Sequence, residues 1–325
     1  MPPTPPSLPP RLPLAPPLLL NSASPWATTL ADLRALHDCP ATCAVTTRTA
    51  LRGELGFPDD PERHTVAFFS PSSGPPSGTS SLNSYGYSPY PLSYYLDCVQ
   101  QLLCPPATPP AAPSASASAV TAGAKPVIVS IAGSPAEVAA SIADVTALVE
   151  RHNSLAGRVA VEVNLSCPNL PLPPQTQLDD YLSWLPPATT VPIGLKLPPL
   201  THASQFCDLV AALPADRISF VSAINTLGGC LFLDCDDGGR EGKALLPGGM
   251  GGMGGAAIHP LALGNVHSLR RALDGAGKAH VDVIGVGGVA DRRGFLRMCR
   301  AGAAAVGLAT ALGRDGLGVF AAIAE

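Results

Sequence analysis

Charge is scarce in this chain: 14% of its 325 residues are Asp, Glu, Lys or Arg, where soluble domains carry about a quarter. The 20 Lys and Arg and 24 Asp and Glu leave a net charge of −4 with no basic run able to track a phosphate backbone, which argues against a nucleic-acid partner. Long apolar runs are missing too. The longest uncharged stretch worth testing, residues 301–312, has 12 residues with two Gly, short of the roughly 20 that span a bilayer. The nine Cys contain no C-x-x-C pair, so they form neither a disulfide framework nor a zinc-ligand set, and a reducing compartment, the cytoplasm, is expected. The Cys39/Cys43 and Cys230/Cys235 pairs lack a second pair or clustered His, and no metal site is expected. No Gly-x-Ser-x-Gly elbow occurs either, which removes the commonest serine-hydrolase signature. Nine Pro in the first 17 positions, with Arg11 the one charge before residue 32, exclude an amphipathic targeting helix.

Apolar residues make up 46% of the chain, enough for a large core and too many for a disordered protein. The length admits two domains, or one α/β barrel of about 250 residues with insertions. Eight strand-like runs decide for the barrel: 18–21, 43–47, 127–131, 159–165, 192–197, 218–224, 281–286 and 304–308. Most are continuous apolar runs, as parallel strands covered on both faces require. Segments of helical length and spacing lie between them, at 135–151, 203–213 and 260–273. The expected fold is a (β/α)8 TIM barrel with inserted lid and loop segments, its chemistry at the carboxyl ends of the strands; a doubly wound sheet is the structural alternative. The expected organisation is a Pro-rich arm over residues 1–15 and a single barrel domain over 16–325, with a flexible Pro-, Ala- and Ser-rich insertion at about 104–124. Between Arg63 and Lys125 the one charged residue is Asp97. Within that span, residues 80–95 hold five Tyr and Asn83 between Gly and Pro punctuation, the composition of an ordered lid.

Polar residues gather where the apolar runs stop. The fourth strand runs into Asn164-Leu165-Ser166-Cys167-Pro168-Asn169. A thiol there, with a reference pKa of about 8.5, can move a proton near neutrality, although a single Cys is more often a small buried hydrophobe. Lys196 closes the fifth strand inside an apolar run, a charge that needs an anionic partner or an escape to water. Asn225-Thr226 follow the sixth strand. Six of the eight residues at 248–255 are Gly, Gly285-Val286-Gly287-Gly288 ends the seventh strand, and Ala309-Thr310 ends the eighth. Glycines after the last two strands let backbone N–H groups close on a phosphate. A Rossmann site is disfavoured, because this glycine turn comes near the end of the chain without a following acidic βα half.

These motifs resemble the dihydroorotate dehydrogenase family, in particular its class 1A, over residues 16 to 325. The residues that carry the resemblance are 164–169, 194–199, Asn225-Thr226, 251–260 with Asn265-Val266, and 285–288, with Gln175 shortly after the Cys loop. The resemblance implies FMN in the barrel mouth, its phosphate on Gly255, Gly287, Gly288, Ala309 and Thr310, and its ring near Ala23, Thr47, Arg48, Asn164, Lys196 and Ile224. It implies Cys167 as the catalytic base, and a substrate site of Asn83, Tyr85, Gly86, Tyr87, Asn164, Asn169, Asn225 and Thr226. The implied reaction is oxidation of dihydroorotate to orotate in pyrimidine biosynthesis, with fumarate as acceptor, in a cytoplasmic homodimer. The chain departs from the family pattern at Thr47-Arg48, where a Lys is usual; at 85–89, Tyr-Gly-Tyr-Ser-Pro for Met-Gly-Leu-Pro-Asn; and at His259 and Ala309, where Lys and Gly are usual. Two alternatives therefore stand beside the first reading: an FMN oxidoreductase acting on another dihydropyrimidine-like substrate, and a non-catalytic barrel scaffold.

Overall fold

The computed structural model describes residues 8–70, 78–105, 125–165, 178–235 and 242–325. Strands β1 (Leu19–Asn21), β2 (Val45–Thr46), β3 (Val66–Phe69), β4 (Ser80–Asn83), β5 (Val127–Ile131), β6 (Val159–Asn164), β7 (Ile193–Leu197), β8 (Phe220–Ala223), β9 (Leu227–Leu231), β10 (Leu233–Asp234), β11 (Lys243–Ala244), β12 (Met250–Gly255), β13 (Asp282–Val286) and β14 (Ala305–Leu308) alternate with helices. The helices are α1 (Leu30–Asp38), α2 (Leu92–Leu103), α3 (Pro135–Arg151), α4 (Leu178–Trp184), α5 (Ala203–Ala212), α6 (His259–Gly275), α7 (Arg292–Ala301), α8 (Thr310–Asp315) and α9 (Gly318–Ala324). Eight strands pair in the order β1-β14-β13-β8-β7-β6-β5-β2, all parallel. A parallel bridge from Leu20 to Ala44 joins the two ends of that sheet. The result is the expected TIM-like barrel, and each of the eight expected strands contains an observed one.

The barrel closes because its strands are apolar on both faces. Val127, Val129, Ile131, Val159, Val161 and Val163 belong to the large cluster they form with α2 and α3, whereas the alternating Ile128 and Ala160 join Leu20, Phe220 and Ile284 in a second cluster inside the barrel. This is the two-residue period of a strand, with both sides dry. Gly194 faces the Phe220 ring so closely that any Cβ would collide with it, a small residue opposite a large one in the barrel layer. Leu12, from the Pro-rich arm, packs into the same interior cluster, and Arg11 anchors the arm to Asp282 at 3.0 Å.

A second sheet, antiparallel and ordered β3-β4-β12-β9, is inserted at the barrel mouth, with the short β10-β11 pair beside it. The glycine-rich stretch at 248–255 is for most of its length strand β12. Gly251 lies against Asn83 O with no room for a Cβ. The segment expected as a lid is in part strand β4 and in part the start of α2, where Tyr95 is fully buried. Most of the expected insertion at 104–124 lies outside the described residues. Among the described residues no helix is long and apolar enough to cross a membrane.

Candidate functional site

All eight barrel strands end at one face, so the residues that follow them are neighbours in space though hundreds of positions apart in sequence. Two adjoining cavities open there, sharing Thr226, Ala309 and Thr310 in their walls. The first is lined by Ala23, Arg48, Asn83, Tyr85, Gly86, Tyr87, Asn164, Lys196 and Asn225, and the second by Ile224, Gly255, Gly287 and Gly288. Of the site residues expected from sequence, Thr47 is the one described residue that lines neither cavity. Its side chain is fully buried and its hydroxyl accepts from Ser130 N at 3.0 Å, while Arg48 and Thr49 form the wall at that point. Cys167 and Asn169 lie outside the described residues.

Lys196 is 5% exposed, and its Nζ donates to Ser22 Oγ at 3.2 Å and toward Ala23 O at 3.5 Å. A buried ammonium costs several kcal/mol unless anions or dipoles offset it; here oxygens of the loop after β1 hold it at the cavity floor. Beside it, Asn225 Nδ2 donates to Asn164 Oδ1 at 3.2 Å, and Asn225 Oδ1 accepts from Thr226 N at 2.9 Å. The two amides are thereby locked edge to edge. Arg48 stands across the cavity, its guanidinium 5.4 Å from the centre of the Tyr85 ring, with Asp59 at 3.4 Å and Gly86 O at 3.5 Å. Burial pushes the Tyr85 phenol above its ordinary pKa, with Arg48 pulling the other way, so this wall presents a neutral hydroxyl beside a cation.

Glycines line much of the second cavity, among them Gly255, Gly287 and Gly288. Gly255 and Gly288 have φ of 72° and Gly287 has φ of 136°, a region that favours glycine. An added Cβ at Gly288 would lie 2.6 Å from Gly255 O, and one at Gly287 2.6 Å from Ala262 Cβ. His259 braces this cradle. Arg297 Nε donates to its Nε2 at 3.2 Å, which leaves Nδ1 as the donor to Gly287 O at 2.8 Å. Thr310 Oγ1 and Ser81 Oγ are 2.8 Å apart across the junction of the two cavities.

Sequence reasoning missed Ser22, Ser24, Trp26, Thr49 and Ser81. All but Ser22 line the first cavity, and Ser22 holds the lysine at its floor. For Ser22 and Ser24 a signal existed: small polar residues directly after the first apolar run, the pattern that singled out the other strand ends. Ser81 carries none, because the inserted sheet that places it pairs residues from distant parts of the chain.

The fold and its mouth define an α/β barrel with a polar cluster and a glycine-lined cradle side by side at the carboxyl ends of the strands. A family model described as dihydroorotate dehydrogenase matches residues 75–325, and the chain belongs to that family. It is 28% identical over 313 residues, 94% of this chain and 87% of the relative, to a Streptococcus equi subsp. equi protein named as dihydroorotate dehydrogenase A (fumarate). A Streptococcus pyogenes serotype M5 protein of the same name is 30% identical over 93% of this chain and 85% of its own. One from Enterococcus faecalis is 34% identical over 50% of this chain and 52% of its own.

Proposed function

We propose that this protein is an FMN-dependent dihydroorotate dehydrogenase, oxidising (S)-dihydroorotate to orotate with fumarate as electron acceptor. One observation carries the reading: buried Lys196, the locked Asn164–Asn225 pair and the positive-φ glycine cradle meet at one set of strand ends. The residues present fit the cofactor. A side chain at Gly287 or Gly288 would fill the cradle that a phosphate needs. Ser24 Oγ, buried in the wall of the first cavity, meets no hydrogen-bond partner among the described residues, as suits a hydroxyl kept for a ligand.

FMN, when bound, supplies a ring that accepts hydride from the substrate. The chain supplies the rest. Lys196 holds a fixed positive charge at the cavity floor, where preorganised electrostatics favour an electron-rich ring. Asn83, Asn164, Asn225 and Thr226, with Asn169, offer amide and hydroxyl groups to the polar edge of a dihydropyrimidine, which presents donors and acceptors together. Arg48 holds the substrate carboxylate in place of the usual lysine, and Tyr85 and Tyr87 shield the site from water. Cys167, three positions past the last residue of β6 in the sequence, removes the proton from substrate C5 as general base. The acceptor reading draws support from the fumarate in the relatives' names. A cytoplasmic homodimer belongs to the same reading.

Purified protein should carry flavin absorbance, and dihydroorotate added without oxygen should bleach it. Flavin that binds but stays oxidised would favour a different dihydropyrimidine-like substrate, a reading that the tyrosines and Arg48 in the cavity wall keep in play. Colourless protein that cannot be loaded with FMN defeats both. Cys167→Ala should keep the flavin and lose turnover by about 100-fold or more, the usual scale for a general base; undiminished turnover would take Cys167 out of the mechanism.

A further inference from the structure

Below the cavity floor lies a buried carboxylate that the chemistry above does not use. Glu162 faces the barrel interior from the middle of β6 and is 3% exposed. Its Oε1 accepts from Ser130 Oγ on β5 at 3.2 Å. Ser130 Oγ lies 2.9 Å from Thr49 Oγ1, and Thr49 Oγ1 accepts from Asn164 Nδ2 at 3.1 Å. Two side chains, Ser130 and Thr49, thus connect a dry carboxylate to an amide in the cavity wall.

The direction of this chain is fixed by what each group can do. At the first link Ser130 Oγ donates to Glu162 Oε1. The single hydroxyl proton of Ser130 is then spent, so Thr49 must donate to Ser130. Thr49 oxygen is left to accept, and Asn164 must turn its Nδ2 toward it. The far end agrees independently: the backbone N–H of Thr226 claims Asn225 Oδ1, which turns Asn225 Nδ2 to Asn164 Oδ1. Both ends impose the same orientation on the amide pair. Reversing it would break hydrogen bonds at both ends of a buried network, where an unmet polar group is costly.

We propose that Glu162 is a positioning residue: through Ser130 and Thr49 it sets which way the Asn164 and Asn225 amides face the substrate ring. This rests on the dihydroorotate reading, since a ring with a fixed order of donors and acceptors is what such an orientation would select. The backbone supports the role, because Thr47 Oγ1 takes Ser130 N and so holds the middle of the relay from the neighbouring strand. Thr47 thereby serves under the site rather than in it.

The test titrates orotate into FMN-loaded protein, follows the change in flavin absorbance, and measures FMN affinity separately. Ser130→Ala and Glu162→Leu should each weaken orotate binding by about tenfold, leave FMN affinity within about threefold, and when combined do no more than the worse single change, because both cut one chain. Glu162→Gln, which keeps an acceptor, should recover most of the loss. Should Glu162→Leu fail to fold, Thr49→Val combined with Ser130→Ala must show the same non-additivity. Wild-type orotate affinity in Ser130→Ala, or losses that add, would overturn the proposal. Wild-type holoprotein that bleaches with dihydroorotate while the variants behave as wild type isolates the failure to the relay; wild-type holoprotein that ignores both dihydroorotate and orotate sinks the relay and the dihydroorotate reading together.

Discussion

Arg48 is a buried guanidinium whose side-chain partners among the described residues are loose. Its contacts to Asp59, Thr28 Oγ1 and Gly86 O run from 3.4 to 3.5 Å, whereas charge-assisted bonds settle at about 2.7–2.9 Å. Five donors in a fork so poorly used suit a bidentate anion such as a carboxylate. Arg48→Met should therefore weaken orotate binding by about 10- to 100-fold, one to two bonds to a charged group, with FMN loading retained; unchanged orotate titration of the FMN-loaded variant would show that the carboxylate is held elsewhere. The cradle gives a sharper case. Gly255 combines a φ of 72° with Thr79 O and Ser80 Cα where a Cβ would sit, so Gly255→Ala carries about 1–2 kcal/mol of left-handed strain plus the collision. It should purify without flavin, and a fully loaded Gly255→Ala would show that the cradle is not the phosphate site. Residues of this kind were legible in sequence because a charge, an amide or a glycine at the end of an apolar run has few structural reasons to be there. Thr49 was not: a hydroxyl is common in loops, and what marks this one is the cavity around it.

At the scale of elements, the barrel strands could be read because burial on both faces leaves no polar alternation to obscure them. The inserted sheet could not. β12 reads Met-Gly-Gly-Met-Gly-Gly, a composition that disfavours strands, and it forms one because β4 and β9 flank it and its glycines let those backbones approach. Pairing between residues 83 and 252 has no local signature. Helix α3, by contrast, announces its start. Ser134 Oγ accepts from Glu137 N at 3.4 Å and Glu137 Oε2 accepts from Ser134 N at 2.8 Å, a reciprocal capping box. Those hydrogen bonds, from Ser134 N first and its hydroxyl second, hold the Glu137 carboxyl below its ordinary pKa. A carboxylate whose folded pKa is depressed adds stability above its unfolded value, about 4.3, and loses it as pH falls through the folded one. Ser134→Ala should cost about 1 kcal/mol at pH 7 in urea unfolding, and the gap to wild type should narrow in the acid range below about pH 4 as Glu137 is protonated in both proteins. A gap independent of pH would mean that the serine acts without its glutamate.

For the molecule as a whole, scarce charge is balanced by an interior that reaches into segments with little secondary structure. The Pro-rich arm looks detachable by composition, yet Leu12 is 4% exposed inside the barrel cluster with Leu20, Phe220 and Ile284, and Arg11 binds Asp282 beside the start of β13. Proline stiffness makes this economical in entropy: a chain already restricted in φ loses less freedom when it docks. The arm is thus a plug in the barrel, far in function from the mouth where the eight barrel strands end. Leu12→Ala should lose about 2–4 kcal/mol, the transfer term plus the cavity it leaves, while Leu8→Ala, at a position 67% exposed, should stay within about 0.5 kcal/mol of wild type. Because the plug does not line either cavity, FMN affinity measured well below the melting temperature should be the same in Leu12→Ala and wild type. Thermal unfolding of the two variants beside a flavin titration separates the outcomes: equal melting of Leu12→Ala and Leu8→Ala would mean that the arm only rests on the barrel, and lost flavin affinity at unchanged melting would mean that it shapes the mouth instead.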